Sequence, residues 1–214
     1  MSKDSPKIIT NVVGIMATNS YVVYCPVTRE AVIIDPGGEP QKIIDSIDET
    51  SLNPTGVILT HGHSDHMAAA ADILKNYNIG LAIHSDDLDT MKKSIEEAPL
   101  WGLGQIEEPA VEQLLKEGDR IKVGNITGSV LSTPGHTKGG ISLKFDRFVL
   151  AGDTLFAGSV GRTDFFGGNR ETLLNSIRLK LLELPDDTIV YCGHGPSTTI
   201  GDEKKRNPFI NGML

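Results

Sequence analysis

The segment Thr60-His61-Gly62-His63-Ser64-Asp65-His66 places three histidines and one aspartate within six residues. It overlaps the end of a short apolar, β-branched run at residues 56–60, which predicts a buried strand. Imidazole nitrogens and carboxylate oxygens are ligands that zinc, iron and manganese take in proteins. Four such ligands in one turn exceed what a single tetrahedral ion with a bound water needs. The segment therefore indicates a site for two metal ions.

Three further residues repeat this arrangement of a strand followed by a possible metal ligand. His136, Asp153 and His194 each follow a predicted strand through a turn of small residues. Loops at strand ends lie on one edge of a sheet framework, where a rigid scaffold holds functional side chains. We therefore expect these three residues to join the 60–66 segment at a single site.

Taken together, these motifs resemble those of the metallo-β-lactamase superfamily, and within it the glyoxalase II-like hydrolases, most closely a short bacterial branch. The matching segments are Ile34-Asp35-Pro36-Gly37, the 60–66 segment, Pro134-Gly135-His136-Thr137, Gly152-Asp153-Thr154-Leu155-Phe156, Gly161-Arg162-Thr163-Asp164-Phe165 and Gly193-His194-Gly195-Pro196. The resemblance extends from about residue 12 to the C-terminus. It implies an α/β fold, namely an αββα sandwich of two mixed sheets flanked by helices. The length suits a single domain over residues 1–214.

The resemblance also implies how two metal ions would be held. His61, His63 and His136 would bind the first ion, Asp65, His66 and His194 the second, and Asp153 would bridge them. Asp65 and Asp153 would in addition act as catalytic residues that align a hydroxide and accept its proton. We expect zinc, with iron or manganese as alternatives, because these ligand types do not separate the three metals.

Outside this ligand set, Asp35 has two possible roles. It could cap the turn at residues 36–38, as aspartate often does, or orient a metal ligand through a hydrogen bond from outside the coordination sphere. His84 and Cys192 are expected to be structural. The first would be a hydrogen-bonded side chain at a strand end, and the second a buried thiol.

Two residues are candidates for substrate binding. Trp101, the only tryptophan, lies in a glycine-containing segment at residues 94–113 that would form a substrate wall, unless Trp101 fills the core. Arg162 would bind a substrate carboxylate, unless it forms an ion pair with Asp164. Full-length glyoxalase II enzymes carry a helical C-terminal domain with basic residues for glutathione. Only residues 195–214 follow the last histidine here, which leaves specific glutathione recognition open.

The composition limits the classes of partner. A net charge of −8 argues against a protein that binds nucleic acid. No run of 18 apolar residues occurs, and the N-terminus lacks the apolar stretch of a signal peptide, so no membrane association is expected. Cys25 and Cys192 are too few for a disulfide framework, which favours a cytoplasmic protein. The oligomeric state is not indicated.

Strands and helices follow from the apolar pattern. Strands are predicted at residues 8–13, 20–24, 31–34, 56–60, 81–83, 120–123, 126–131, 141–145, 147–150 and 188–191. Helices are predicted at residues 39–50, 67–77, 85–93 and 171–184, the third with Ser85 as its N-cap.

The chemistry implied is hydrolysis by a hydroxide held between two metal ions. Two divalent ions about 3.5–4 Å apart lower the pKa of that water and polarise a carbonyl. A thioester suits such a site, because a thiolate whose thiol pKa is roughly 8.5 leaves without a proton donor. We expect a hydrolase of thioesters, with S-2-hydroxyacylglutathione as the leading substrate. A mono-iron persulfide dioxygenase of the same fold is the alternative, and the Gly193-His194-Gly195-Pro196 turn favours the hydrolase.

Overall fold

Two six-stranded mixed sheets form the centre of the protein, as seen in a computed structural model that describes residues 5–212. In spatial order, the first sheet contains β1 (Lys7–Val13), β2 (Thr18–Tyr24), β3 (Glu30–Ile34), β4 (Asn53–Ile58), β5 (Leu81–His84) and β6 (Val111–Leu115). The second contains β14 (Thr198–Thr199), β13 (Ile189–Cys192), β10 (Phe148–Gly152), β9 (Ile141–Lys144), β8 (Ile126–Ser132) and β7 (Arg120–Val123). A separate hairpin pairs β11 (Leu155–Phe156) with β12 (Ser159–Val160). Strands β3 to β6 run parallel, as do β10 and β13, and the other pairs are antiparallel.

Helices cover the outer face of each sheet. The helices are α1 (Pro40–Glu49), α2 (Ser64–Met67), α3 (Ala70–Tyr77) and α4 (Leu88–Glu97) beside the first sheet, and α5 (Arg170–Ser176) and α6 (Ile200–Arg206) beside the second. This layering confirms the predicted αββα sandwich. None of the helices within residues 5–212 has both the length and the apolar composition needed to span a membrane.

Alternating side chains explain why the sheets are buried on both faces. In β2, Tyr21 and Val23 point into the core between the sheets, whereas Val22 packs under the helices of the first sheet. Strand β10 repeats this pattern, with Leu150 in the inter-sheet core and Val149 under α5 and α6. Because each fully buried large apolar side chain contributes about 1.5–3 kcal/mol, these two strands anchor the layers that position the loops.

Several predicted element boundaries are wrong. The helix predicted at residues 85–93 extends to Glu97 as α4, and the 94–113 segment also contains the start of β6 at Val111, which was not predicted. Strand β6 was not predicted because it is an edge strand whose side chains are mostly exposed and do not alternate between apolar and polar. The helix predicted at 67–77 is interrupted between α2 and α3. The helix predicted at 171–184 changes after α5 into a π-helical turn at Ile177–Leu181.

The predicted cap at Ser85 is also wrong. A short 3₁₀ turn at Ser85–Asp87 precedes α4, and the Nδ1 atom of His84 accepts a hydrogen bond from the Asp86 amide at 3.2 Å. His84 is therefore the capping residue, which agrees with its predicted structural role.

Candidate metal centre

Four strand ends deliver the candidate ligands to one edge of the sandwich. The 60–66 segment follows β4 of the first sheet, with His61 and His66 buried. His136, Asp153 and His194 follow β8, β10 and β13 of the second sheet. The two sheets meet at this edge, since Thr18 of β2 forms a β-bridge with His194. All seven predicted ligands are thus brought together.

The ligand atoms form groups of the size that a metal ion requires. One group contains His61, His63 and His136, a second contains His61, His66 and Asp153, and a third contains Asp65, His66 and His194, with the atoms of each group within 4.8 Å of one another. A tetrahedral ion with bonds of about 2.0–2.1 Å separates its ligand atoms by about 3.3 Å. His63 Nδ1 lies 2.9 Å from His136 Nε2, and His194 Nε2 lies 3.2 Å from Asp65 Oδ2. These separations are close to the tetrahedral value.

Asp153 lies between the two ends of this cluster. Its Oδ1 atom is 3.4 Å from His66 Nε2, and its Oδ2 atom is 3.6 Å from both His136 Nε2 and His194 Nε2. One carboxylate therefore faces ligands of both predicted metal sites. This position is the one that a bridging ligand requires.

Two orphaned atoms support a metal as the missing partner. Within residues 5–212, His61 Nε2 and Asp153 Oδ1 are the buried side-chain polar atoms that have no hydrogen-bond partner. Leaving a buried polar atom unpaired costs about 1–3 kcal/mol, so proteins rarely do so without a reason. Both atoms belong to the cluster, and both are good metal ligands. The residues present therefore fit a metal ion.

Glycines allow the ligands to approach one another. A Cβ atom at Gly193 would overlap Asp153 Oδ1, and one at Gly161 would overlap the Asp153 backbone carbonyl. A Cβ atom at Gly152, which has a φ of 48°, would overlap Thr60 Oγ1. Any larger residue at these positions would displace Asp153 or the start of the 60–66 segment.

A hydrogen-bond network centred on Asp35 orients two of the histidines. Asp35 Oδ2 accepts from His66 Nδ1 at 3.0 Å and from the Thr60 hydroxyl at 2.7 Å. The Thr60 Oγ1 atom in turn accepts from His61 Nδ1 at 3.0 Å. The Nε2 atoms of both histidines are thereby directed into the cluster. Of the two roles considered for Asp35, these contacts support ligand orientation.

Backbone carbonyls orient two more histidines in the same way. His136 Nδ1 donates to the Arg162 carbonyl at 2.7 Å, and His194 Nδ1 donates to the Met16 carbonyl at 3.1 Å. Their Nε2 atoms face the cluster, whereas His63 presents Nδ1. Fixing one ring nitrogen sets the tautomer of the imidazole and increases its basicity as a ligand.

The electrostatics of the cluster favour a cation. Burial lowers the pKa of His61 well below its usual value and that of His63 to about 3, so both imidazoles are neutral donors. Burial alone would raise the pKa of Asp65 and Asp153, but the adjacent His66 holds both below their usual range. Burial opposes charge on His66, yet Asp65, Asp153 and Asp35 raise its pKa. The cluster thus combines two neutral imidazoles with ionised carboxylates that favour positive charge at His66, so it attracts a cation.

Asp87 forms hydrogen bonds to both the loop that carries His61 and His63 and the loop that carries His136. The sequence analysis did not identify this residue. This fully buried carboxylate accepts through Oδ2 from the Gly62 amide at 2.8 Å and the Thr137 hydroxyl at 2.7 Å. Its Oδ1 atom accepts from the Gly139 amide at 2.8 Å and the Thr90 hydroxyl at 3.3 Å. Burial raises the pKa of Asp87, and these donors oppose the rise. No local signal distinguishes Asp87 from the exposed aspartate before it.

Asn19 holds the turn that carries His194, and the sequence analysis did not identify it either. Its side-chain amide donates to the Cys192 carbonyl at 2.9 Å and the Gly195 carbonyl at 2.8 Å. Its backbone amide donates to the Gly193 carbonyl at 2.7 Å. Three bonds from β2 therefore fix the turn that carries His194. Asn19 stands between the polar residues Thr18 and Ser20 at the start of β2, so no local signal marked it as buried.

A cavity of about 430 Å³ opens beside the cluster and contacts both predicted substrate-binding residues. Trp101 lines it and is 46% exposed, so it does not fill the core. Arg162 also lines the cavity and pairs with Asp164, with Nη2 2.7 Å from Oδ2. Arg162 forms the ion pair with Asp164 and also faces the cavity, where it could contact a substrate carboxylate. A substrate contact of Trp101 or Arg162 stays a prediction.

Cys192 is buried, as expected. Burial raises the pKa of its thiol to about 12, so the sulfur is a neutral thiol at physiological pH.

Comparison with known proteins is consistent with this geometry. A family model described as the metallo-β-lactamase superfamily matches residues 13–194. The chain is 41% identical over 187 residues to the hydroxyacylglutathione hydrolase GloC of Haemophilus influenzae, with 86% of this chain and 88% of that protein covered. Residues of the candidate centre lie within the matched region.

Three solved structures have the same fold. BLEG-1, described as a B3 metallo-β-lactamase, has a TM-score of 0.86 at 36% identity, covering 96% of this chain and all (100%) of that one. TTHA1623, solved in a di-iron-bound form, has a TM-score of 0.85 at 36% identity, covering 94% and 99%. ETHE1 from Myxococcus xanthus has a TM-score of 0.82 at 29% identity, covering 96% and 85%.

Proposed function

The chain belongs to the metallo-β-lactamase superfamily, and from this we propose that it is a two-metal hydrolase of thioesters, with S-2-hydroxyacylglutathione as the leading substrate. The position of Asp153 between two groups of histidine ligands carries the proposal. The similarity to GloC supports the choice of substrate. The di-iron form of TTHA1623 supports a pair of metal ions, of which zinc remains our first choice and iron or manganese the alternatives.

Each part of the site has a role in this reaction. His61, His63 and His136 would hold one ion, and Asp65, His66 and His194 the other, with Asp153 shared between them. When bound, such a pair would supply an activated water at neutral pH and polarise the thioester carbonyl. The carboxylates of Asp65 and Asp153, whose pKa values His66 holds low, would orient this water and accept its proton. A thiolate leaving group would need no proton donor from the protein.

The stoichiometry of metal binding tests this proposal. We expect fully loaded protein to contain two transition-metal ions per chain by elemental analysis, because two of the three ligand groups have no residue in common, namely His61, His63 and His136 in one and Asp65, His66 and His194 in the other. His194→Ala should retain about one ion, since it removes a ligand of one group only. His84→Ala is the matched control, because this histidine lies outside the cluster, and it should retain two. One ion per chain in the loaded wild-type protein would contradict the proposal.

The persulfide dioxygenase alternative rests on the similarity to ETHE1. It predicts a single iron ion and oxygen consumption with a persulfide substrate. The proximity of Asp65 to both His66 and His194, at 3.6 and 3.2 Å, supports the second metal site and thus the hydrolase. A preparation with one iron ion per chain, oxygen uptake and no thioester hydrolysis would establish the alternative.

We also expect weak discrimination for the glutathione part of the substrate. The arginine and lysine that line the cavity, Arg162 and Lys93, each have a carboxylate neighbour in Asp164 and Glu97. Neither cation is therefore free to bind the glutathione carboxylates at full strength. The kcat/KM for S-lactoylglutathione should exceed that for the same acyl group on a truncated thiol by less than about a hundredfold, or about 2.7 kcal/mol. A larger ratio would reveal a dedicated glutathione site.

A further inference from the structure

Exposed apolar side chains are concentrated at the mouth of the cavity beside the metal centre. Met16, Trp101 and Phe166 line the cavity and are 39%, 46% and 44% exposed. Ile15, next to Met16 in sequence, is 69% exposed. These four are among the ten large apolar side chains that are exposed within residues 5–212. Such a concentration indicates a binding surface rather than random surface composition.

The aromatic rings lead from this mouth to the metal centre. The ring centroid of Phe165 lies 5.6 Å from that of His63 and 5.8 Å from that of Trp101, in both cases edge to face. A group attached to a carbonyl at the metal centre would therefore meet Phe165 first and Trp101 next. Edge-to-face packing is the arrangement that aromatic groups favour, so another ring can extend this array.

Two separate parts of the chain form the apolar mouth. The turn between β1 and β2 carries Ile15, and the segment after α4 carries Trp101. They approach one another closely, since a Cβ atom at Gly102 would lie 3.3 Å from Ile15 Cδ1. The two segments therefore meet on one side of the entrance.

The charges at the cavity favour an uncharged group. Lys93 Nζ lies 3.8 Å from Glu97 Oε1, and it also lies 4.4 Å from the centroid of the Phe166 ring. The guanidinium of Arg162 is paired with Asp164 and stacks over Phe165 at 4.2 Å. Both cations already have an anionic partner and an aromatic partner. An apolar group entering the cavity therefore displaces no charge pair, whereas an anionic group would compete with two carboxylates.

We propose, building on the thioester hydrolase function, that the mouth of the cavity binds the acyl part of the substrate and that this part is uncharged and apolar. The preferred thioesters would carry an aromatic or branched acyl group, including a 2-hydroxyacyl group larger than lactoyl. Each buried methylene of such a group strengthens binding about fourfold.

Trp101 provides a direct measurement of binding, because it is the only tryptophan of the chain. The probes are two thioethers of glutathione, S-ethyl and S-(2-phenylethyl), in which a methylene replaces the carbonyl so that the metal-loaded protein does not cleave them. The shared thiol cancels any contribution of glutathione. We expect the phenyl probe to change the Trp101 fluorescence and to bind at least about tenfold more tightly. Equal affinities would overturn the proposal.

The same preference should appear in catalysis. The kcat/KM for the phenylacetyl thioester of glutathione should exceed that for the acetyl thioester by at least about tenfold. Trp101→Ala should reduce this ratio to below about threefold, with circular dichroism as the check of folding. Leu179→Ala is the matched control, since this leucine is 71% exposed but lies outside the cavity, and it should leave the ratio unchanged.

The remaining outcomes separate this proposal from the thioesterase function. If no thioester is cleaved but the phenyl probe still binds preferentially at Trp101, the binding site stands and the thioesterase function fails. If thioesters are cleaved without an acyl preference, or if apolar groups increase the rate only on the thiol side, the binding site fails. A dimer that hides Trp101 from the probes, detected by analytical ultracentrifugation, would also overturn it.

Discussion

Asp153→Ala is expected to lose metal from both sites and to abolish hydrolysis while the protein remains folded. The Asp153 carboxylate faces His66 through Oδ1 and both His136 and His194 through Oδ2, so its removal leaves each site without a shared ligand. Loss of metal-assisted activation removes several kcal/mol of transition-state stabilisation, which corresponds to a decrease in kcat/KM of at least about a thousandfold.

The fold should survive this change because Asp153 lies in the turn after β10, and its side-chain ion pairs are with histidines of the cluster. Elemental analysis measures the metal content, and circular dichroism measures the fold. Asp186→Ala is a suitable control, since it removes an exposed aspartate whose ion-pair partner, Lys204, is not a predicted ligand. Two ions per chain in Asp153→Ala would show that this residue does not bridge them.

The positions of the candidate ligands could be predicted because the signal is local. Each ligand follows a strand within a few residues, and the strands themselves have clear apolar patterns. The fold followed from the same motifs, and the αββα layering is confirmed. By contrast, β6 at the edge of the first sheet has mainly exposed side chains, so no apolar pattern marked it.

Residues that act through long-range contacts could not be assigned from sequence. The role of Asp35 depends on the parallel register of β3 and β4, which brings its carboxylate to Thr60 and His66. Two consecutive aspartates precede α4, and only the tertiary structure shows that Asp87 is the buried one. Such contacts join residues 25 or more positions apart, and a single sequence contains no measure of that proximity.

Asp87 is the subject of the second large expected effect. Asp87→Asn preserves the shape of the side chain but replaces one acceptor oxygen with an NH₂ donor. In either orientation of the amide, the NH₂ group faces one backbone N–H, that of Gly62 or that of Gly139. The hydroxyls of Thr90 and Thr137 can rotate and accept a hydrogen bond from the new NH₂ group, whereas a backbone N–H can only donate. One of the two ligand loops must therefore move away, at a cost of about 1–3 kcal/mol for the unpaired donor.

Both loops carry ligands of the same predicted site, since Gly62 separates His61 from His63, and Gly139 follows His136 by three residues. The expected result is selective loss of one ion, from two per chain to about one, with kcat/KM reduced by about a hundredfold or more. His194→Ala should leave the ion that Asp87→Asn loses. The double variant Asp87→Asn with His194→Ala should then bind close to none.

A buried carboxylate elsewhere separates this effect from simple destabilisation. Glu203 is buried and accepts hydrogen bonds from the Gly158 amide at 2.9 Å, the Thr198 hydroxyl at 2.6 Å and the Asn207 amide at 2.7 Å. Glu203→Ala should lower thermal stability at least as much, because it leaves the Gly158 N–H and the Asn207 side-chain amide without their acceptor. It should nevertheless retain two ions, since none of its partners is a predicted ligand. If Asp87→Asn keeps both ions, or loses both together with the fold, Asp87 does not position the first metal site.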